Sequence, residues 1–184
     1  MGIFLSFLPW IVFWTLSGRN NYQIATLAAT VVVLFLNVRN IKNRNIKILD
    51  LGTLIFFIVL TAISFLSKVV WVDRYSTPLS DTAMFIIAAI SLAVRKPFTI
   101  QYAYEQVDPK FWNTPKFYST NRTITTVWCI AFAINAILAY LYVDNPYMLD
   151  WVINILVLVA AIKFTAWYPD FVKAKGQQTG ENPE

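Results

Sequence analysis

The chain has 184 residues, of which 58% are hydrophobic and only 14% charged, with a formal net charge of +5. Soluble domains run about 45–50% apolar and about 25% charged, so a water-soluble fold would lack the polar residues to cover it, and lipid is the expected solvent. There is no histidine and a single cysteine, Cys129, inside an apolar run. This removes the commonest metal ligand and general base, disulfide frameworks and cysteine-based zinc sites; with no glycine-rich phosphate loop or nucleophile elbow present, neither a metal nor a cofactor is expected.

Six apolar segments follow in order: residues 2–16, 22–38, 48–70, 79–94, 124–143 and 148–168. A hydrocarbon core of about 30 Å takes roughly 20 helical residues. The third, fifth and sixth segments meet that length, and the second and fourth fall a little short of it. The first, "GIFLSFLPWIVFWTL", is short and has Pro9 in its interior, which breaks or kinks a helix. It lacks a basic leader and a small-residue cleavage site, so a retained, short or kinked membrane helix is expected rather than a signal peptide. "SGRNN" at Ser17–Asn21 reads as a turn, which makes the first two segments a helical hairpin. The expected fold is all-α: one polytopic transmembrane bundle of about six helices over residues 1–172, with a disordered polar tail at 173–184.

Lysine and arginine alternate between connections. One side holds Arg39, Lys42, Arg44 and Lys47, then Arg95, Lys96, Lys110, Lys116 and Arg122, then Lys173 and Lys175. The other side holds only Arg19, Lys68 and Arg74. Eleven against three sets the orientation: the basic loops and the C-terminus face the cytoplasm. Because these charges fall between apolar segments rather than on a polar domain, nucleic acid is not an expected partner.

The long connection at 95–123 carries a dense set of aromatics. Pro97 suits a first helical turn, and Ile100, Ala103, Tyr104, Val107 and Phe111 recur at helical spacing up to Asp108-Pro109. A short amphipathic helix in the cytoplasmic interface is expected there. Trp112, Phe111, Phe117 and Tyr118 suit the headgroup region, and Lys110 and Lys116 can meet anionic lipid phosphates at roughly 1 kcal/mol each. Arg95, Lys96, Gln101, Tyr104, Glu105, Lys110, Trp112, Lys116 and Arg122 together form the candidate surface for lipid or a protein partner. An enzyme acting on lipid would need carboxylates here, and only Glu105 and Asp108 fall together near the interface.

Ionisable and amide side chains inside the apolar segments are few. Asp50, Asp81 and Asp150 sit near segment starts, where a carboxylate can cap a helix. Lys163 can snorkel to the cytoplasmic side or pair with Asp50. Asn135 and Asn154 lie about 20 Å from the cytoplasmic ends of two adjacent helices. An amide–amide bond between them is expected to contribute about 0.6–2 kcal/mol, and a polar lining for a solute path is the alternative. Asp50, Asn135, Asn154 and Lys163 are the candidate intramembrane polar contacts.

Three stretches resemble one family. "FLPWIVFWTLSGRNNYQIATLAATVVVL" is similar to the opening of the bacterial intracellular septation protein A family: an apolar Phe-Leu-Pro segment, a polar turn and an alanine-rich helix. "RKPFTIQ" resembles its Lys-Pro motif after the fourth segment, and "FWNTPKFYSTNRTITTVWCIAFAINAILAYLY" its later tryptophan–asparagine stretch. The longer "PFTIQYAYEQV" form is closer to uncharacterised relatives. The resemblance implies a multi-pass inner-membrane protein connected with septation and envelope integrity through membrane-protein partners or self-association. It supplies no catalytic residues. A small-solute or ion transporter is the alternative reading of the polar residues inside the segments.

Overall fold

The structure, a computed structural model, describes residues 3–17, 21–43, 46–66, 70–144 and 148–178. Among these residues all regular structure is helical: α1 (Ile3–Ser6), α2 (Leu8–Leu16), α3 (Tyr22–Lys42), α4 (Ile48–Leu66), α5 (Val70–Ala93), α6 (Ile100–Ala103), α7 (Pro115–Leu141) and α8 (Met148–Gln178), with a 3-10 turn at Pro109–Phe111. Four stretches are long and apolar enough to cross a membrane: Ile48–Leu66, Arg74–Ala93, Pro115–Leu141 and Trp151–Lys175. Their number and mean hydropathy place the protein in a membrane. Ile3–Leu16 and Tyr22–Val38 are shorter apolar helices.

The first segment is broken as Pro9 requires. The chain interrupts at Phe7, and Pro9 lies in the first turn of α2, where its missing N–H leaves no gap. Other boundaries differ from the hydropathy reading: α3 runs on to Lys42 rather than ending at Val38, and α4 ends at Leu66, with Val70 opening α5 rather than closing the third segment. Helix α5 begins at Val70, not Leu79, and runs through Pro78. Thr82 Oγ1 donates to the Pro78 carbonyl at 2.7 Å and Ser80 Oγ to that of Thr77 at 2.7 Å, so side-chain hydroxyls serve carbonyls near the proline. Helix α7 begins at Pro115, not Ile124: Thr114 Oγ1 accepts from the Phe117 N–H at 3.2 Å, and the proline occupies the first turn. Helix α8 continues past Tyr168 to Gln178, so Lys173 and Lys175 lie on it rather than in a disordered tail. Residues 179–184 lie outside the described residues.

These shifts change two readings of carboxylates. Asp81 does not sit at a helix start; it is buried inside α5. The side chain of Asp150 lies outside the described residues.

Helices α2, α3, α4 and α5 pack in sequence, α7 packs along α5, and α8 packs on α7. The centre is aromatic. Trp10 and Phe13 are fully buried, Trp10 stacks on Phe56 at 5.1 Å, and Phe7 stacks on Trp128 at 5.0 Å. Gly52 lets α4 and α5 approach closely, since a Cβ there would lie 2.6 Å from Ile87 Cγ1. Lipid offers helices no hydrophobic drive to associate, so hydrogen bonds between helices carry part of that role. Trp10 Nε1 donates to Thr53 at 3.0 Å, Trp14 Nε1 to Ser80 at 2.9 Å, and Trp128 Nε1 to Thr165 at 2.9 Å. Thr30 and Thr61 share a hydroxyl contact of 2.9 Å between α3 and α4, and Gln23 Nε2 donates to the Ser64 carbonyl at 2.8 Å.

Candidate functional site

The expected amphipathic interfacial helix does not form as such. Only Ile100–Ala103 is helical, and the segment folds back into the bundle with Phe98, Thr99, Ile100 and Tyr102 buried. The return begins at the end of α5. Arg95 adopts φ 56°, its N–H donates to Leu92 at 3.0 Å, and the Lys96 N–H donates to Ser91 at 2.9 Å. That is a Schellman ending with arginine where glycine is usual. Ser91 Oγ then accepts the Phe98 N–H at 3.2 Å. Thr99 Oγ1 donates to the Asn121 carbonyl at 3.0 Å and meets Thr125 Oγ1 at 2.8 Å, which ties the returning strand of loop to α7.

Beyond Thr99 the segment reaches the start of α4. Like every helix, α4 begins with N–H groups that have no partner within it. Gln101 Oε1 accepts the Ile48 N–H at 2.7 Å and so caps α4 from another part of the chain. Lys47, the residue before α4, is buried. Its Nζ lies 2.8 Å from Glu105 Oε1 and 4.0 Å from the centre of the Tyr102 ring. The Tyr102 hydroxyl donates to Ser6 Oγ on α1 at 2.8 Å and lies 3.5 Å from Asp50 Oδ1. Asp50 is buried in the first turn of α4, and its Oδ2 has no hydrogen-bond partner among the described residues.

The electrostatics follow from this geometry. Burial and the Asp50 charge push the Tyr102 hydroxyl well above its ordinary value, so it remains a donor. Burial is the largest single influence and acts to raise Glu105, but the hydrogen bond and charge of Lys47, together with the positive N-terminus, outweigh it and hold the carboxyl below the usual range. Ser6, Lys47, Asp50, Tyr102 and Glu105 thus form one polar cluster that clamps α1, the start of α4 and the returning loop together.

The remaining surface candidates are arranged around an aromatic rim. Tyr104 packs on Trp112 at 4.8 Å and on Phe117 at 5.5 Å, and Trp112 Nε1 donates to the Val107 carbonyl at 2.9 Å. Lys110 is exposed; its backbone N–H and ammonium both bond Asp108, which holds that carboxyl below its ordinary value. Arg95, Lys96, Lys116 and Arg122 are exposed, the last two on α7 rather than in a loop. Gln101 and Glu105 are engaged with α4, although the Glu105 side chain stays 42% exposed.

The intramembrane candidates do not come together. Asn135 is buried on α7, and its Oδ1 has no partner among the described residues. The expected amide–amide bond to Asn154 is absent, because neither amide oxygen accepts from the other. The hydrogen bond that does link α7 to α8 runs from Trp128 to Thr165. Lys163 is exposed, roughly opposite Ala161, the residue α8 buries against its neighbour, and it forms no pair with Asp50. Lysine at that position lies on the outer face of the bundle.

Ser6 and Tyr102 were not readable as site residues, and Lys47 registered only as a charge for topology. A signal was present: Gln101, Tyr102 and Glu105 lie one to four residues apart on one turn, and Lys47 precedes Asp50 by three. Nothing local says that the two turns meet. Comparison with protein-family models, curated proteins and solved structures gave no match.

Proposed function

We propose that the protein is a non-enzymatic multi-pass scaffold or accessory subunit of the bacterial inner membrane, acting in envelope maintenance or septation through partner proteins. On this reading α1–α2 and α3 also cross the bilayer, giving six spans with both termini in the cytoplasm. The eleven-to-three charge bias supports that orientation. The resemblance to the intracellular septation protein A family supports the cellular setting.

The observation that carries the proposal is the locked loop. Residues 98–105 are fixed to α4 through Gln101 and Glu105, and to α7 through Thr99. That anchoring holds the Tyr104–Trp112–Phe117 rim and its neighbours Lys110 and Lys116 in place at the basic end of the bundle. A rigid aromatic and cationic rim loses little conformational freedom on docking, which is what a partner surface or an anionic-headgroup contact needs. The test is co-purification from native membranes in mild detergent, with stoichiometry read by mass spectrometry. A stoichiometric partner should be lost when Lys110→Glu and Lys116→Glu are combined, with helical content unchanged. Retention of the partner by that variant would refute the docking surface.

A transport role has one observation in its favour: the buried Asp50 and Asn135 oxygens without partners. The outward position of Lys163 removes it from any inner lining. Solute flux in liposomes that depends on Asp50 and Asn135 would favour this reading over the scaffold.

A further inference from the structure

Two depressions on the bundle surface share Val127 as a wall, the first lined by α7 alone and the second lying in the seam of α7 and α8. The one nearer the start of α7 is the more polar of the two, about 250 Å³, and its walls carry Ser119, Arg122, Thr123 and Thr126. Among the described residues Arg122 has no ion pair, and the Ser119 and Thr123 hydroxyls have no hydrogen bond. The second is apolar, about 310 Å³, with walls that include Ile130, Ala131 and Ile134 from α7 and Val157, Ala160 and Phe164 from α8. Small alanines on both helices open this groove. Residues 119, 122–123, 126–127, 130–131 and 134 recur at three- and four-residue spacing, so they form one continuous stripe along α7.

We propose that this groove holds one anionic phospholipid, with its phosphate at Arg122 and an acyl chain laid along the apolar half. Guanidinium and hydroxyl donors suit a phosphate, which accepts several charge-assisted hydrogen bonds at once. The dimensions agree. Twelve residues separate Arg122 from Ile134, about 18 Å along a helix, against about 15 Å for half of a 30 Å hydrocarbon core. Arg122 therefore stands at headgroup level when Ile134 is near the midplane. It is also at the end of the bundle that carries the excess of lysine and arginine. The site differs from the rim at Tyr104 and Trp112, and it does not depend on the scaffold reading.

The test is native mass spectrometry of the full chain, delipidated in detergent and offered equimolar phosphatidylglycerol and phosphatidylcholine. The wild type should retain one phosphatidylglycerol with about tenfold preference. Arg122→Gln should reduce that retention about tenfold, and Ala160→Phe, which fills the apolar half, should do the same. Lys42→Gln, which removes an exposed charge at the end of α3 outside the groove and the aromatic rim, should leave it unchanged. Wild-type retention by both Arg122→Gln and Ala160→Phe would overturn the site. So would an equal loss in Lys42→Gln, which would mean diffuse surface charge, or full displacement by millimolar glycerol phosphate, which would mean that the headgroup alone binds. Circular dichroism checks folding, and if Arg122→Gln does not fold, Ala160→Phe decides. Failure here leaves the scaffold test at Lys110 and Lys116 untouched.

Discussion

Replacing Glu105 by glutamine tests whether the loop is clamped as described. The pair is 2.8 Å long, with the Lys47 side chain 10% exposed and that of Glu105 42% exposed. At an effective dielectric of about 20, two unit charges at that distance attract by about 6 kcal/mol before desolvation and screening. Glu105 is exposed enough to be screened by water, whereas Lys47 is not. The net coupling should lie above the 0–1 kcal/mol of surface pairs and below the 3–5 kcal/mol of breaking a fully buried pair. About 1–2 kcal/mol is expected, or about 2–8 °C in melting temperature for a chain of this size. A double-mutant cycle of Glu105→Gln and Lys47→Met, followed by tryptophan fluorescence during unfolding in mixed micelles, isolates it.

The pH dependence supplies the sign. The folded Glu105 carboxyl is held below its ordinary value. Its contribution is therefore fully present above the ordinary carboxylate range and is lost as pH falls through the lowered folded value. The gap between wild type and Glu105→Gln should be constant from pH 7 to about 5, then close in stronger acid. A coupling below about 0.3 kcal/mol at pH 7, or a gap that persists unchanged in strong acid, would refute the clamp.

Three further outcomes follow from the packing. Gly52→Ala should destabilise the bundle by about 1–3 kcal/mol in the same unfolding assay, because the new methyl meets the stiff, β-branched Ile87 at 2.6 Å. Arg95→Gly should be neutral or raise the melting temperature by a few degrees, while Arg95→Val should lower it, since φ 56° strains a residue with a Cβ and a β-branched one most. Thr165→Val should weaken α8 docking by about 0.6–1.7 kcal/mol through loss of the Trp128 bond, seen as faster proteolysis in the connection between α7 and α8.

Hydropathy located the helices because lipid-facing residues must be apolar whatever else they do. It misplaced their ends where a helix continues on polar residues. "WVDRYSTP" before Leu79 and "PKFYSTNRT" before Ile124 carry no apolar stripe, yet both extend a backbone ladder already begun. The Thr114–Pro115 start signal was present for the second of these and would have moved the boundary to where α7 begins. The interfacial helix failed for another reason. Ile100 and Tyr104 are on one helical face, but Tyr102 has a hydroxyl that Ser6 and Asp50 can bond, and that partnership draws the loop inward. Asp50, Gln101 and Glu105 were recognisable singly; that they gather at the start of α4 depends on the packing of α1, α4 and the returning loop, which no spacing encodes.

Covering of the helices differs in a way that bears on function. Of its membrane-crossing stretch, α7 buries 44% inside the bundle and α8 only 6%. Helix α8 is joined to the rest by packing on α7 and by the Trp128–Thr165 bond, whereas α2, α4 and α5 are cross-linked by tryptophan bonds to Thr53 and Ser80. In lipid, a helix held this way gains little from burial alone, since acyl chains solvate its apolar face as well as a neighbouring helix does. A molecule seated in the seam between α7 and α8 would therefore add to the packing that α8 has. A lipid seated at Arg122 would act as a filler of that kind, and its retention and the docking of α8 should then rise and fall together when Ala160 is enlarged or the bilayer is changed from anionic to neutral.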